Sequence, residues 1–171
     1  MAEAPVENPL WEFSLAAYRD RVAALCLRAQ DECDADVNLL LYAAWLARED
    51  RLLTSEHLAD QQSAVHQWRE RVVQPLRRLR VELRDYVPAR AIREGLADLE
   101  LQAERTQQAA LYAGFLAAGA QPYAPQPLTE NLARAAAAGG SAEVRWRALV
   151  EELAMRLSAQ DGGFDGGSAP R

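Results

Sequence analysis

The sequence predicts an all-α protein: a compact bundle of about five helices around a fully apolar central helix, plus a linked C-terminal helical pair. Ala and Leu fill 58 of the 171 positions, whereas Val, Ile and Thr together fill only 14. A β-sheet depends on β-branched side chains, so this composition argues against one. Half of the residues are hydrophobic and 26% are charged, which is typical of a globular chain that buries its own core.

The first two predicted helices differ in how their apolar residues are distributed. The pair Asn8–Pro9 is a typical helix start, and apolar residues at helical spacing extend the first helix to about Gln30. The acidic stretch 31–36 interrupts this pattern. The segment 37–47 is apolar on every side, which predicts a central helix surrounded by the others. Two of its side chains are predicted to be core residues: Leu41 and Trp45.

Three further features place the later helices. Ser55 is expected to cap a third helix that continues across Pro75, where the missing N–H predicts a kink or a break. A long helix is predicted over 89–118. The apolar spacing places Tyr86 and Ile92 on the inward faces of these helices. The predicted caps of the last two helices are Thr129 and Ser141.

The distribution of proline and glycine predicts the domain organisation. Three prolines between 119 and 128 predict a linker, and four glycines in the last residues predict a disordered tail. The predicted parts are a helical bundle domain (9–118), a Pro-rich linker (119–128), appended C-terminal helices (129–158) and a disordered tail (159–171).

Composition also bears on compartment and partners. The first ten residues lack a basic start followed by an apolar stretch, and the longest nearly apolar run has 11 residues, against roughly 20 for a membrane span. Two cysteines are too few for a disulfide framework. We therefore expect a cytoplasmic protein that does not bind membranes. The net charge of −6 argues against general nucleic-acid binding, and the absence of Lys excludes a phosphate-loop or Schiff-base lysine.

A sequence pattern spans the end of the first predicted helix and the start of the second. It consists of Gln30-Asp31, then Ala35-Asp36-Val37-Asn38-Leu39-Leu40-Leu41, then Trp45-Leu46. This pattern resembles that of a family of small all-helical proteobacterial proteins of unknown function, and the resemblance covers about residues 9–112. The family implies no established activity. It is expected to carry glycine where this chain has Asp34, which would ease a left-handed helix end.

The acidic turn 31–36 is the first candidate site. Four carboxylates in six residues are ligands that hard divalent cations prefer, but a calcium loop would require glycine at Leu39. The simpler interpretation is that Asp34 caps the central helix while Asp36 lies in its first turn. No metal site, cofactor or catalytic residue is predicted. The candidate ligand-binding or polar cluster consists of Asp31, Asp36 and Asn38.

The two histidines offer no catalytic arrangement. His57 and His66 are nine residues apart, and about 100° of rotation per residue places them on opposite faces of one helix. They therefore cannot share a metal there, and both are expected at the surface.

The second candidate site is a cluster of arginines. Residues 67–84 contain six Arg and two Glu, a local charge of +4. Arg77, Arg80 and Arg84 share a helix face at spacings of three and four. We expect these three side chains to be largely exposed and to bind an anionic partner: an acidic protein surface, RNA phosphate or a nucleotide. The alternative is a surface paired with acidic neighbours from other segments.

These observations predict a non-catalytic interaction or adaptor protein with a protein partner, of which an acidic one fits the arginines best. The first alternative is a small-ligand or metal-dependent enzyme built on the acidic turn. The second alternative is an RNA- or ribosome-associated factor that uses Arg77, Arg80 and Arg84.

Overall fold

A computed structural model describes residues 5–119 and 121–161, and these residues are mainly helical. The elements are α1 (Pro9–Ala17), α2 (Asp20–Cys33), α3 (Val37–Arg48), α4 (Ser55–Trp68), a π-helical turn (Arg69–Val73), α5 (Gln74–Glu82), a 3₁₀ turn (Val87–Ala89), α6 (Arg90–Ala118), α7 (Leu128–Ala137) and α8 (Glu143–Asp161). Within the described ranges there is no strand, only an isolated bridge between Arg51 and Tyr123. The predicted all-α class is confirmed. None of the described helices combines the length and apolar character needed to cross a bilayer.

Contacts between the helices divide the chain into two units. Among the described residues, the first unit holds 5–11 and 59–119, and the second holds 12–58 and 121–161. In the first unit α5 packs against α6, and the π-helical and 3₁₀ turns also contact α6. In the second unit α3 packs against α7, and α8 packs against both α2 and α7.

The predicted central helix is α3, and its burial is confirmed. Ten consecutive residues, from Asn38 to Ala47, are buried. Leu41 and Trp45 are only 4% and 5% exposed, so both are core residues as predicted. A helix that is apolar on all faces is stable only when every face is covered, which the neighbouring helices achieve here.

The C-terminal helices are part of the second unit, which differs from the predicted division into a bundle and an appended pair. Asn131 of α7 is completely buried. Its side-chain oxygen accepts from Leu53 N–H at 2.8 Å. Its side-chain amide donates to the Arg51 carbonyl at 2.8 Å and to the Ala43 carbonyl at 3.2 Å. The Pro-rich segment 119–128, predicted as a linker, is held in place as well. The Pro122 carbonyl accepts from Leu52 N–H at 2.9 Å.

The first predicted helix is divided into α1 and α2. Trp11 N–H donates to the Asn8 side chain at 3.0 Å, so the predicted start is confirmed. The chain leaves the helical path after Ala17, and α2 begins at Asp20, which has a left-handed φ of 44°. Aspartate tolerates this conformation better than most residues. Because apolar spacing resumes directly with the buried Val22, the pattern of hydrophobicity does not reveal the break.

Pro75 is accommodated by a change of helix type. The sequence predicted a kink or a break, and the structure has a π-helical turn over Arg69–Val73 followed directly by α5. Gln74 N–H bonds to the Arg69 carbonyl, five residues back. In a regular α-helix the Pro75 ring would clash with the Arg71 carbonyl, and the wider turn moves that carbonyl away.

The predicted caps of the last two helices are wrong. Pro127, rather than Thr129, occupies the N-cap position of α7. Ser141 lies before α8, and its hydroxyl donates instead to the Cys33 carbonyl at 2.9 Å. In the predicted disordered tail 159–171, the residues up to Asp161 are helical and the others lie outside the described part of the chain.

Candidate functional site

The acidic turn is built from two helix caps. Asp36 Oδ1 accepts from Asn38 N–H (2.9 Å) and Leu39 N–H (3.4 Å), so Asp36 caps α3. Asp34 was expected in that role, but it lies at the C-terminal end of α2 with a left-handed φ of 53° and its N–H bonded to the Gln30 carbonyl at 3.0 Å. This is the conformation that a glycine would ease. The prediction that Asp34 caps the central helix is therefore wrong.

The other two members of the predicted polar cluster occupy different environments. Asn38 is buried in the first turn of α3, whereas Asp31 is exposed in the last turn of α2. Within residues 5–119 and 121–161, no group of three or more His, Cys, Asp or Glu side chains is arranged to hold a metal ion. A ligand-binding role for Asp31, Asp36 and Asn38 stays a prediction.

His57 is not at the surface, so that prediction is wrong. The ring is 4% exposed, and its Nε2 lies 2.6 Å from the Tyr42 hydroxyl. No local pattern indicated this burial, because the partner, Tyr42, lies on another helix. His66 is exposed, as predicted.

Burial also raises the pKa of the Cys26 thiol to about 12.

Two of the three predicted arginines belong to an ion-pair network on α5 and α6. Glu100 of α6 accepts from Arg77 Nε (2.7 Å) and from Arg80 Nε (2.5 Å). Glu104, one turn further along α6, accepts from Arg77 Nη2 at 2.5 Å. The side chains of Arg77 and Arg80 are 24% and 33% exposed, so the expected large exposure is wrong for both. Arg84 is exposed as predicted, but it lies beyond the end of α5 at Glu82, so the prediction that it shares a helix face with the other two is wrong.

Glu100 is the centre of this network. Its side chain is only 7% exposed. Burial by itself would raise the pKa of the Glu100 carboxyl, but the hydrogen bonds from Arg80 and Arg77 and the charges of both guanidinium groups hold that pKa below its usual value. Both arginines therefore have acidic partners inside the first unit, and their binding of an external partner stays a prediction.

The connection between α5 and α6 carries apolar side chains in solvent. Tyr86 is 61% exposed, Val87 84% and Ile92 60%. Arg84 precedes them, Arg90 lies between Val87 and Ile92, and both arginines are also exposed. We call these five residues the 84–92 surface. The Arg84 carbonyl accepts from the Arg93 side chain at 2.6 Å, which joins the start of this segment to α6.

Sequence reasoning missed this surface because Tyr86 and Ile92 continue the apolar spacing of their helices. Both were predicted to face inward, and both predictions are wrong. The signal was present in the pattern Asp85-Tyr86-Val87-Pro88, where a proline shortly after an aspartate marks a turn. An aromatic residue in a turn has no neighbouring helix turn to cover it.

A comparison with family models identifies the family of this chain. The family described as "Protein of unknown function (DUF2390)" matches residues 9–111. The chain belongs to this family. The predicted membership in a family of unknown function is confirmed, and the matched part of this family member contains the acidic turn, the arginines and the 84–92 surface. Comparisons with curated proteins and with solved structures gave no match.

Proposed function

We propose that this member of the family is a non-catalytic interaction protein that binds an acidic surface of a protein partner through the 84–92 surface. The observation that carries the proposal is the exposure of three large apolar side chains, those of Tyr86, Val87 and Ile92, in one nine-residue segment that also contains two exposed arginines. Exposed apolar side chains grouped in this way mark interaction sites on folded proteins. Removing their surface from water is favourable, and a binding partner can do so.

The chemistry of the surface favours an acidic protein over other partners. Tyr and Arg are enriched among the residues that contribute most to protein–protein binding. Arg84 and Arg90 present planar guanidinium groups that suit carboxylates. Arg90 has an exposed partner, Glu94, at 2.9 Å, and such exposed pairs are weak enough to exchange for a partner's carboxylate. A long phosphate backbone would need more cationic groups than these two.

A non-catalytic role is supported by what the reactive side chains do. His57 is hydrogen-bonded to the Tyr42 hydroxyl, and the pKa of Cys26 is too high for a thiolate at neutral pH. The metal-dependent enzyme proposed for the acidic turn has weaker support, because Asp34 and Asp36 serve as helix caps. We place this function in the bacterial cytoplasm, where buried free thiols such as those of Cys26 and Cys33 stay reduced.

The test is site-specific cross-linking. A photoreactive residue at Val87 should capture a protein partner in the cells from which the chain comes, and a probe at Val144 should not. Val144 is a matched control because it is 85% exposed but lies on α8. Arg84→Gln should weaken capture from Val87, and high salt should do the same.

Two results would contradict the proposal. Identical cross-linked products from Val87 and Val144 would mean that capture is non-specific. Products that nuclease treatment abolishes would favour the RNA- or ribosome-associated factor instead. Fluorescence anisotropy with a labelled single-stranded RNA separates a protein partner from an RNA partner directly. If the partner is a protein, substitution of Arg77, Arg80 or Arg84 should not change the anisotropy of the RNA.

A further inference from the structure

The second unit contains a cleft of about 1030 Å³, at the upper end of the size of small-molecule sites. Residues near the ends of α1, α3 and α8 and near the starts of α2 and α7 line it. Five alanines contribute to the lining, two from α1, two from α3 and one from α8. They are Ala16, Ala17, Ala44, Ala47 and Ala159. Larger apolar side chains line it as well: Phe13, Leu128 and Leu157.

Four charged residues also line the cleft. Arg19 and Arg48 are cationic, and Asp20 and Asp50 are anionic, so their charges sum to zero. Ion pairs are frequent elsewhere in the chain, but in the part of the chain that the structure describes none involves these four side chains. The Arg48 guanidinium lies 6.0 Å from the centroid of the Phe13 ring, which holds the cation at the cleft without using up its hydrogen-bond donors.

The backbone at the cleft is also unusual. Asp20, Asp50 and Gln126 have positive φ angles of 44°, 51° and 52°. They are three of the four non-glycine residues with positive φ in the described ranges, and all three line this cleft. Such conformations persist only where the surrounding structure holds them, and they are concentrated at functional sites.

We infer that this cleft binds a small zwitterion with an apolar side chain, that is, a ligand of the amino-acid class. Arg19 and Arg48 would bind the ligand's carboxylate, because guanidinium groups match carboxylate geometry. Asp20 and Asp50 would accept from its ammonium group. The lining charges sum to zero, so a polyanion such as a nucleotide does not match them. This site is separate from the 84–92 surface, and the inference does not depend on the proposed function.

Three probes that share one side chain test the inference. L-Phenylalanine carries both charges, N-acetyl-L-phenylalanine only the anion, and L-phenylalaninamide only the cation. Each is titrated into the full chain while the backbone amide resonances of Ala44 and Ala47 are followed by NMR. Phenylalanine should bind at least about tenfold more tightly than either blocked probe, since each lost charge removes a charge-assisted hydrogen bond.

Variants assign the binding to the cleft. Arg48→Gln and Asp50→Asn should each weaken phenylalanine binding about tenfold. Asparagine is the right replacement at Asp50, because it tolerates the left-handed backbone and so removes only the charge. Arg147→Gln is the matched control, because Arg147 is an exposed arginine of α8 outside the cleft lining. It should leave binding unchanged.

The probe comparison keeps the test decisive even if a variant fails to fold. Equal binding of all three probes would overturn the inference, because it would show only apolar partitioning. An absence of shifts at Ala44 and Ala47 up to the solubility limit of phenylalanine would overturn it as well.

Discussion

Replacing Glu100 with Gln should destabilise the protein through the two arginines that share this carboxylate. Gln has nearly the same shape as Glu but no charge, so packing is preserved while the charge-assisted hydrogen bonds from both arginines are weakened. Arg77 keeps a second carboxylate, that of Glu104 at 2.5 Å. Arg80 donates two hydrogen bonds to Glu100, from Nε at 2.5 Å and from Nη2 at 3.2 Å, so it should account for most of the loss.

The size of the effect follows from the burial of the groups. Removing one partner of a fully buried ion pair costs about 3–5 kcal/mol. Here the Glu100 side chain is 7% exposed, but those of Arg77 and Arg80 are 24% and 33% exposed. Water can therefore solvate both guanidinium groups once the carboxylate is gone, which reduces the cost. We expect Glu100→Gln to lower the free energy of unfolding by about 1.5–3 kcal/mol, the value of hydrogen bonds to charged groups.

Urea unfolding followed by circular dichroism measures this difference. Glu94→Gln is the control, because Glu94 pairs with Arg90 on the same helix but both side chains are well exposed, at 61% and 78%. The control should cost less than about 0.5 kcal/mol. If Glu100→Gln costs no more than Glu94→Gln, the network does not stabilise the fold and the reasoning is wrong.

The effect should also depend on pH. Because the pKa of Glu100 is lowered in the folded state, its stabilising contribution is complete above the pKa of an unfolded Glu, about 4.3, and is lost as pH falls through the folded value. The difference between wild type and Glu100→Gln should therefore stay constant from neutral pH to about 5 and decrease below about 4.

Three further predictions concern the second unit. Trp45→Ala should cost about 3–5 kcal/mol in urea unfolding because it opens a cavity beside a buried helix; a cost below about 1 kcal/mol would contradict the burial. Asn131→Ala should cost about 2–4 kcal/mol in the same assay, since it leaves buried backbone groups without their partner, and an unchanged midpoint would refute this. A chain truncated after Ala118 lacks α7 and α8, and its thermal melt by circular dichroism should lose cooperativity. A sharp melt would instead support the prediction that residues 9–118 form a separable bundle.

Much of the fold could be predicted from the sequence because hydrophobic spacing reports burial directly. The all-round apolar segment 37–47 identified the most buried helix, and Asn8–Pro9 identified the first helix start. The domain division could not be predicted, because it depends on contacts between distant residues. Asn131 bonds to backbone groups about 80 residues away, and no local pattern encodes which carbonyl a buried amide will reach.

The candidate sites were harder to predict, because charge and exposure are different properties. The spacing placed Arg77 and Arg80 correctly on one helix face, whereas Arg84 lies beyond the end of α5 at Glu82. The spacing could not show that α6 carries Glu100 opposite Arg77 and Arg80. His57 was misplaced for the same reason, since its partner Tyr42 lies on another helix. Periodicity within one helix specifies a face, and the neighbouring helix decides what that face meets.

The π-helical turn before Pro75 sets the direction in which the side chains of α5 point relative to that of Trp68. Trp68 Nε1 donates to the Ala103 carbonyl of α6 at 2.8 Å, and Arg77 reaches Glu100 of the same helix. Nine residues of regular α-helix separate them by about 900° and would point them in opposite directions. The additional residue of a π turn sets this rotation back by about 100°, to about 80° net, and both side chains then lie within reach of α6. Deleting one residue between Trp68 and Pro75 would leave eight residues of regular α-helix, which also give about 80° net, so Arg77 should keep its place beside Glu100 and only the wide turn that accommodates Pro75 would be lost.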